Sequence, residues 1–361
     1  MPTLRLPGLI DPHVHLREPG GEYKEDFESG TKAALAGGIT LVLAMPNTRP
    51  PLIDSDSLAL AETAAAQRAV CDWGIHLGAS PENTLTAADL APRVSGLKFY
   101  LDATFGPLHL QDLRTLREHF ARFPKDRPIL CHAEGRTVAA VLMCAHLEGR
   151  SVHICHVSRQ EEIEIIRDAK MRGIQVTCEV CAHHLYLSTD DIARLGEGRS
   201  EVRPRLASPT DQAALWDNLE FVDCFATDHA PHLLSEKDSS NPPPGFPGLE
   251  TSFALMLRAV HEGRLTLEEL VERMVHAPRR IFDLPEQPDT WIEVDPDLVW
   301  QPSAHNTVSR ARWTPFEGWK LRGRVIRTAL RGKEVYQQGM FQVQPGAGRN
   351  VAPIARRDFA T

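Results

Sequence analysis

Short runs rich in β-branched and apolar residues alternate along the chain with longer segments whose apolar positions recur at i, i+3 and i+4. The runs over 6–15, 38–45, 72–79, 94–101, 128–133, 151–157, 173–180 and 221–227 predict eight strands. Between them, 25–36, 54–69, 110–123, 136–147, 159–172 and 209–219 carry helix formers at helical spacing, whereas the helix between the third and fourth runs is only weakly signalled. Eight strands alternating with helices over some 280 residues predict an α/β fold of the TIM-type (β/α)8 barrel class rather than an open doubly wound sheet. Segments 248–262 and 266–276 read as closing helices, the second followed by Ala-Pro.

Beyond about Leu284 the texture changes. The stretch KLRGRVIRTALRGKEVYQQGMFQV places glycines between short alternating runs, which predicts a few antiparallel strands in a small appended β element. The organisation expected is a barrel over 1–288, the β element over 289–345 and a mobile tail over 346–361, where Gly, Pro, Asn and Arg mix without period. SNPPPGFPG, at 240–248, reads as a stiff loop.

The 361 residues suffice for two ordinary domains or one large barrel. Apolar residues make up 42 % with no run approaching a membrane span, so a membrane protein is not expected. The 40 basic residues are scattered among 48 acidic ones for a net charge of −8, which argues against nucleic acid as a partner. The chain opens MPTLRLPGLID without the pattern of a signal peptide, and a cytoplasmic location is expected. Seven Cys with apolar neighbours suit reduced core thiols better than a disulfide framework, and Cys178 and Cys181 form a C-x-x-C with no second pair beside it.

In a barrel the active site lies where the strands end, and there the apolar runs terminate in chemistry. The first closes on His13-Val14-His15, the fourth carries Lys98, the fifth ends at His132, the sixth at His156 and the eighth at Asp228. Two His at i, i+2 share one face of a strand and can grip one ion, although such a pair alone is equally two hydrogen-bonded histidines at a sheet end. Four His and one Asp at strand ends favour a metal centre. Lys98 is costly to desolvate between Leu97, Phe99 and Tyr100. Either it reaches the rim or pairs with Asp102, or its neutral amine captures carbon dioxide and becomes a carbamate bridging two ions.

DPHVHLREPG at 11–20 and ATDHAPHLLSEK at 226–237 resemble the two signature motifs of dihydroorotases, within the amidohydrolase superfamily. GLKFYL, CHAE, HICHV and CEVCAHH fall in order between them. MPNTRPP, EVRP, PPPGFPGLET and WTPFEG extend the likeness over nearly the whole chain, most strongly to the dihydroorotase domains of animal multifunctional pyrimidine-synthesis proteins. The resemblance implies one Zn2+ held by His13, His15 and Asp228, another by His132 and His156, and carbamylated Lys98 between them. It further implies a third zinc on Cys155 and Glu179 with His13, for which a core thiol and a supporting carboxylate are the alternative. Arg17, Asn47 and His232 would hold a substrate carboxylate, Arg203, Pro244 and Gly245 would contact a ring, and Thr104 and Phe105 would close a loop over it.

Three departures stand out. Asp-Ala precedes Thr104-Phe105 where the animal enzymes usually have Asn-Glu; Cys-Ala precedes His183-His184 where Ala-Pro is usual; and the N-terminal β segment that would precede the barrel is missing, as in a compact variant or a domain of a longer polypeptide.

The implied reaction is the reversible cyclisation of N-carbamoyl-L-aspartate to L-dihydroorotate in pyrimidine biosynthesis. A metal-bridging hydroxide attacks the ring amide and Asp228 shuttles the proton. The implied partners are that small-molecule substrate and a second copy of the chain in a homodimer, with a place inside a larger pyrimidine-synthesis polypeptide left open. The rival activities are another cyclic amidohydrolase, of hydantoinase, dihydropyrimidinase or allantoinase type, and a catalytically inactive scaffold barrel. A carboxylate anchor argues against the first and a complete ligand set against the second.

Overall fold

A computed structural model describes residues 3–352. Its strands are β1 (Leu4–Pro7), β2 (Leu9–Val14), β3 (Ile39–Ala44), β4 (Asp72–Gly78), β5 (Gly96–Tyr100), β6 (Ile129–His132), β7 (Val152–Ile154), β8 (Val176–Cys181), β9 (Cys224–Ala226), β10 (Trp291–Trp300), β11 (Leu321–Leu330), β12 (Lys333–Gln337) and β13 (Met340–Phe341). β2 to β9 pair in parallel in sequence order. The sheet comes round on itself where Val14 bridges His229 and the His15 N–H donates to the His229 carbonyl at 2.8 Å. The (β/α)8 barrel expected from the alternation is therefore the fold, and each predicted strand run overlaps an observed strand.

Helix starts shift by one to three residues for a local reason. Asp26, Asp54 and Asp112 each turn a carboxylate back onto the first turn, so the helices run Phe27–Ala36, Ser55–Arg68 and Leu113–Arg122, with the acid as cap instead of part of the first turn. The weak signal between the third and fourth runs corresponds to 3-10 turns at Pro81–Asn83 and Ala87–Arg93, the latter with Pro92 inside it.

The smaller sheet is antiparallel in the order β1, β10, β11, β12, β13. It differs from the expected division at residue 289 because its edge strand comes from the start of the chain, with Leu4 opposite Val294 and Leu6 opposite Ile292. The segment expected to be mobile also differs over its described part. The Trp73 N–H donates to the Arg349 carbonyl at 2.9 Å and the Val351 N–H to the Trp73 carbonyl at 2.8 Å, while Val351 is buried. The rest of that tail, 353–361, lies outside the described residues.

Inside the barrel, β2 holds an irregularity between Asp11 and Val14. Below it Ile10 joins Leu41, Leu43, Leu130, Phe282 and Val351 in an apolar floor; above it polar side chains face inward. No helix among the described residues is long and apolar enough to cross a membrane.

Candidate metal centre

Three rim residues adopt a left-handed backbone that non-glycine residues rarely take: Arg17 at φ 62°, His156 at φ 36° and Asp228 at φ 43°. Each lies just past the end of a strand, where the turn must carry a polar side chain back over the barrel mouth. His13 Nε2 and His15 Nε2 meet the same Asp228 Oδ1 at 3.3 and 3.1 Å. The outer nitrogen of His15 is oriented by Asn47 Oδ1 at 2.7 Å, and that of His13 by Glu179 Oε1 at 2.5 Å. Across the mouth, His132 Nδ1 faces His156 Nε2 at 2.9 Å, and His132 Nε2 meets Glu134 Oε1 at 3.2 Å.

Lys98 is fully buried, and its Nζ donates to Cys155 Sγ at 2.8 Å and lies 5.2 Å from the Tyr100 ring. Asp102, the alternative partner, instead accepts from the Glu134 N–H at 2.8 Å and the Thr137 hydroxyl at 3.2 Å. Among the described residues no carboxylate forms a salt bridge with Lys98, so the amine sits in the barrel with a thiol as its hydrogen-bond acceptor.

The electrostatics favour cation binding. Burial lowers His15 to about 4 and pushes His156 well below the usual histidine range, so both rings offer lone pairs at neutral pH. Burial alone would raise Asp228 and Glu179, but the imidazoles against them outweigh it and hold both carboxyls below the usual range. His156 Nδ1 is buried with no hydrogen-bond partner among the described residues. Three-residue groups with ligand atoms within 4.8 Å of one another include His13, His15 and Asp228, and His13, Cys155 and Glu179. Neutral imidazoles, ionised carboxylates and a thiol around buried space are a donor set that fits divalent metal ions.

The space above these groups is a cavity of about 20 Å³ lined by His13, His15, Arg17, Asn47, Tyr100, Thr104, Phe105, His132, His156, Arg203, Asp228, Pro244 and Gly245. His232 stands just behind it, with Nε2 3.0 Å from Arg17 Nη2 and from the Pro244 carbonyl. Phe105 forms a wall shared with a roomier vestibule of about 550 Å³ that contains Arg17, Lys24, Arg49 and Glu236. The Asn47 amide donates to the Phe105 carbonyl at 2.8 Å, and the Phe105 ring stands edge-on to His232 at 4.9 Å. Of the residues expected to hold metal, His13, His15, His132, His156 and Asp228 line this cavity with Arg17, Asn47, Thr104, Phe105, Arg203, Pro244 and Gly245 of the expected substrate set, whereas Lys98, Cys155 and Glu179 do not reach its lining.

Four supporting residues escaped the sequence reading. Asp11, raised to about 7 by burial, accepts from the Thr227 hydroxyl at 2.5 Å and ties β2 to β9. His153 Nε2 braces Glu179 Oε2 at 3.1 Å from below. Lys24 Nζ contacts His232 Nδ1 at 2.9 Å. The Tyr100 hydroxyl is buried without a hydrogen-bond partner among the described residues and lines the cavity. Its signal was available, since it lies two residues after Lys98 on one strand face.

Comparison with known proteins follows this geometry. Residues 4–272 match the model of the Amidohydrolase family. The chain is 34 % identical to a dihydroorotase of Pyrococcus furiosus, covering 96 % of this chain and 84 % of that protein. This chain belongs to the dihydroorotases of the amidohydrolase family. It is also 53 % identical to the multifunctional protein CAD of Squalus acanthias over 96 % of its own length, but spans only 16 % of that protein. Among solved structures it is similar to an L-hydantoinase of Arthrobacter aurescens, with TM-score 0.92, 26 % identity and coverage of 97 % and 89 % of the two chains. It is likewise similar to an inactive dihydroorotase-like domain of a Chaetomium thermophilum CAD-like multifunctional protein, with TM-score 0.84, 27 % identity and coverage of 97 % and 99 %. A cyclic amidohydrolase with candidate His, Asp, Cys and Glu metal sites is what this dihydroorotase family membership supports.

Proposed function

We propose that the protein is a zinc-dependent dihydroorotase that interconverts N-carbamoyl-L-aspartate and L-dihydroorotate in pyrimidine synthesis. The observation that carries the reading is the position of Arg17. Its guanidinium, buried and braced by His232 and the Pro231 carbonyl at 3.1 Å, lines the same small cavity as His13, His15, His132, His156 and Asp228. A fixed guanidinium beside a cluster of metal-binding donors suits a substrate that carries a carboxylate next to its hydrolysable amide.

In this reading His13, His15 and Asp228 would hold one zinc, His132 and His156 a second, with Lys98, as its carbamate, a ligand to both. Cys155 and Glu179, with His13, would hold a third. Bound zinc would make a hydroxide available at neutral pH and polarise the amide carbonyl. Asp228, ionised and inside the mouth, accepts the proton of the attacking hydroxide as the C–O bond forms. It delivers that proton to the ring nitrogen as the C–N bond breaks, and the reverse sequence closes the ring. Arg17, Asn47 and His232 fix the exocyclic carboxylate, while Arg203 and the backbone at Pro244 and Gly245 bear on the ring. Thr104 and Phe105 keep bulk water from the reacting amide. With Lys24 paired to Glu236 at 2.7 Å, Arg17 and Arg49 give the vestibule outside Phe105 a positive bias toward an anionic substrate.

Two relatives pose the alternatives, and the residues favour the dihydroorotase reading over both. A hydantoinase substrate lacks the exocyclic carboxylate and would leave Arg17 and Asn47 facing the ring without a partner. An inactive barrel needs no set of metal donors, whereas positions 13, 15, 98, 132, 156 and 228 are all occupied by residues able to serve. The test is a ring-opening assay on L-dihydroorotate against hydantoin, run alongside metal analysis. Dihydroorotate turnover with at least two zinc per chain is expected. Preference for hydantoin, or a metal-free protein inactive on both, overturns the proposal. A homodimer, the cytoplasmic setting and a place in a longer pyrimidine-synthesis polypeptide remain parts of the same reading, the last supported by the shark relative's domain-sized match.

A further inference from the structure

The strand that carries Glu179 ends in a group the proposed reaction leaves unused. Cys181 closes β8 on the same inward face as Glu179, and His183 and His184 lie in the short helix Ala182–Tyr186 that follows. The Cys181 Sγ and one ring nitrogen from each His lie within 4.8 Å of one another, and all three side chains are buried. The two imidazole centroids are 4.2 Å apart, and the His183 ring is fixed edge-on to Phe246 at 5.3 Å.

The hydrogen bonding of these rings is incomplete. His184 Nε2 donates to the Pro204 carbonyl at 3.1 Å, which places the proton of the neutral ring on Nε2 and leaves a lone pair on Nδ1. That Nδ1 is buried with no hydrogen-bond partner among the described residues, and so is His183 Nε2. A histidine that gives one N–H to a backbone carbonyl and holds its other nitrogen free inside the protein has the arrangement of a metal ligand oriented from behind. Unpaired buried nitrogens are otherwise costly.

We propose that Cys181, His183 and His184 form a separate site for a borderline-soft divalent cation, Zn2+ or its Co2+ surrogate, beside the candidate centre. One thiolate with two imidazoles favours such ions over Mg2+ or Ca2+, and three protein ligands leave a fourth position for water. Binding replaces the S–H bond with an S–metal bond, and the thiol proton leaves to solvent. The site shares no residue with the groups built on His13, so it stands or falls independently of the dihydroorotase reading.

The experiment uses the full chain loaded with Co2+ in a background carrying both Cys155→Ser and Cys224→Ser, which removes the thiols of the two neighbouring groups. Thiolate-to-cobalt charge-transfer absorption is expected there, and adding Cys181→Ala should abolish it and remove one bound ion per chain. Unchanged absorption and ion count after Cys181→Ala overturn the proposal. Should Cys181→Ala fail to fold, zinc X-ray absorption of the doubly substituted background protein replaces it, with one sulfur per chain at ~2.3 Å expected. A spectrum containing only nitrogen and oxygen neighbours overturns the site.

Discussion

The upper and lower layers of the barrel share strands β2 and β6 and obey opposite rules. In the floor, Ile10, Leu41, Leu43, Leu130 and Phe282 pack with Val351 and are almost inaccessible to solvent. Toward the mouth, β2 and β6 bury His13 and His132, β5 and β8 bury Lys98 and Glu179, and the turns beyond β7 and β9 hold His156 and Asp228 in a left-handed backbone. The floor gains free energy from apolar burial, whereas the rim places charges and lone pairs where burial penalises them. The difference teaches that stability and chemistry are separated by height within the barrel, so substitutions in the two layers should fail in different ways.

The largest effect is expected at the rim. Lys98→Ala should lower kcat/KM on dihydroorotate by about 10³-fold or more, with loss of metal, while the protein still folds. Full activity of that variant would break the comparison at its centre. Arg17→Ala should raise KM by roughly 10²-fold at unchanged metal content, because it removes a charged anchor and not a metal ligand. A parallel fall in bound metal would show that Arg17 organises the centre rather than the substrate.

In the floor the signature should invert. Phe282→Ala should cost about 3–5 kcal/mol of stability in denaturant unfolding, with kcat/KM of the folded protein within a few-fold of wild type. The smallest effect concerns Glu250, outside both layers, whose carboxylate accepts from the Val308 and Ser309 N–H groups at 2.9–3.0 Å and is raised to about 7 by burial. Its folded value lies above its unfolded value of 4.5, so its contribution to stability is complete below 4.5 and is lost as pH rises through 7. Thermal scans should find Tm falling by about 2–4 °C from pH 6 to 8, a slope that Glu250→Gln flattens.

Much of this arrangement was legible in the chain because it is local. Alternating apolar runs announce barrel strands, and a His, Lys or Asp at the end of such a run stands at the rim by the geometry of the fold. Parts that depend on distant partners were not legible. Nothing near Leu4 signals that it pairs with Val294, and nothing near Arg349 signals that its carbonyl takes the Trp73 N–H. Asp11 reads as the first letter of a motif until Thr227 is seen against it, and His153 as a core histidine until Glu179 lies 3.1 Å away. The helix starts fall between these cases, since the capping Asp residues were visible but read as the first turn of the helix.

The most direct test is a crystal structure of the protein as purified, with anomalous scattering collected at the zinc edge. The account predicts two strong peaks among His13, His15, His132, His156 and Asp228, with carbamate density extending from Lys98 between them. An unmodified Lys98 still bonded to Cys155, with no anomalous peak at the barrel mouth, would contradict it.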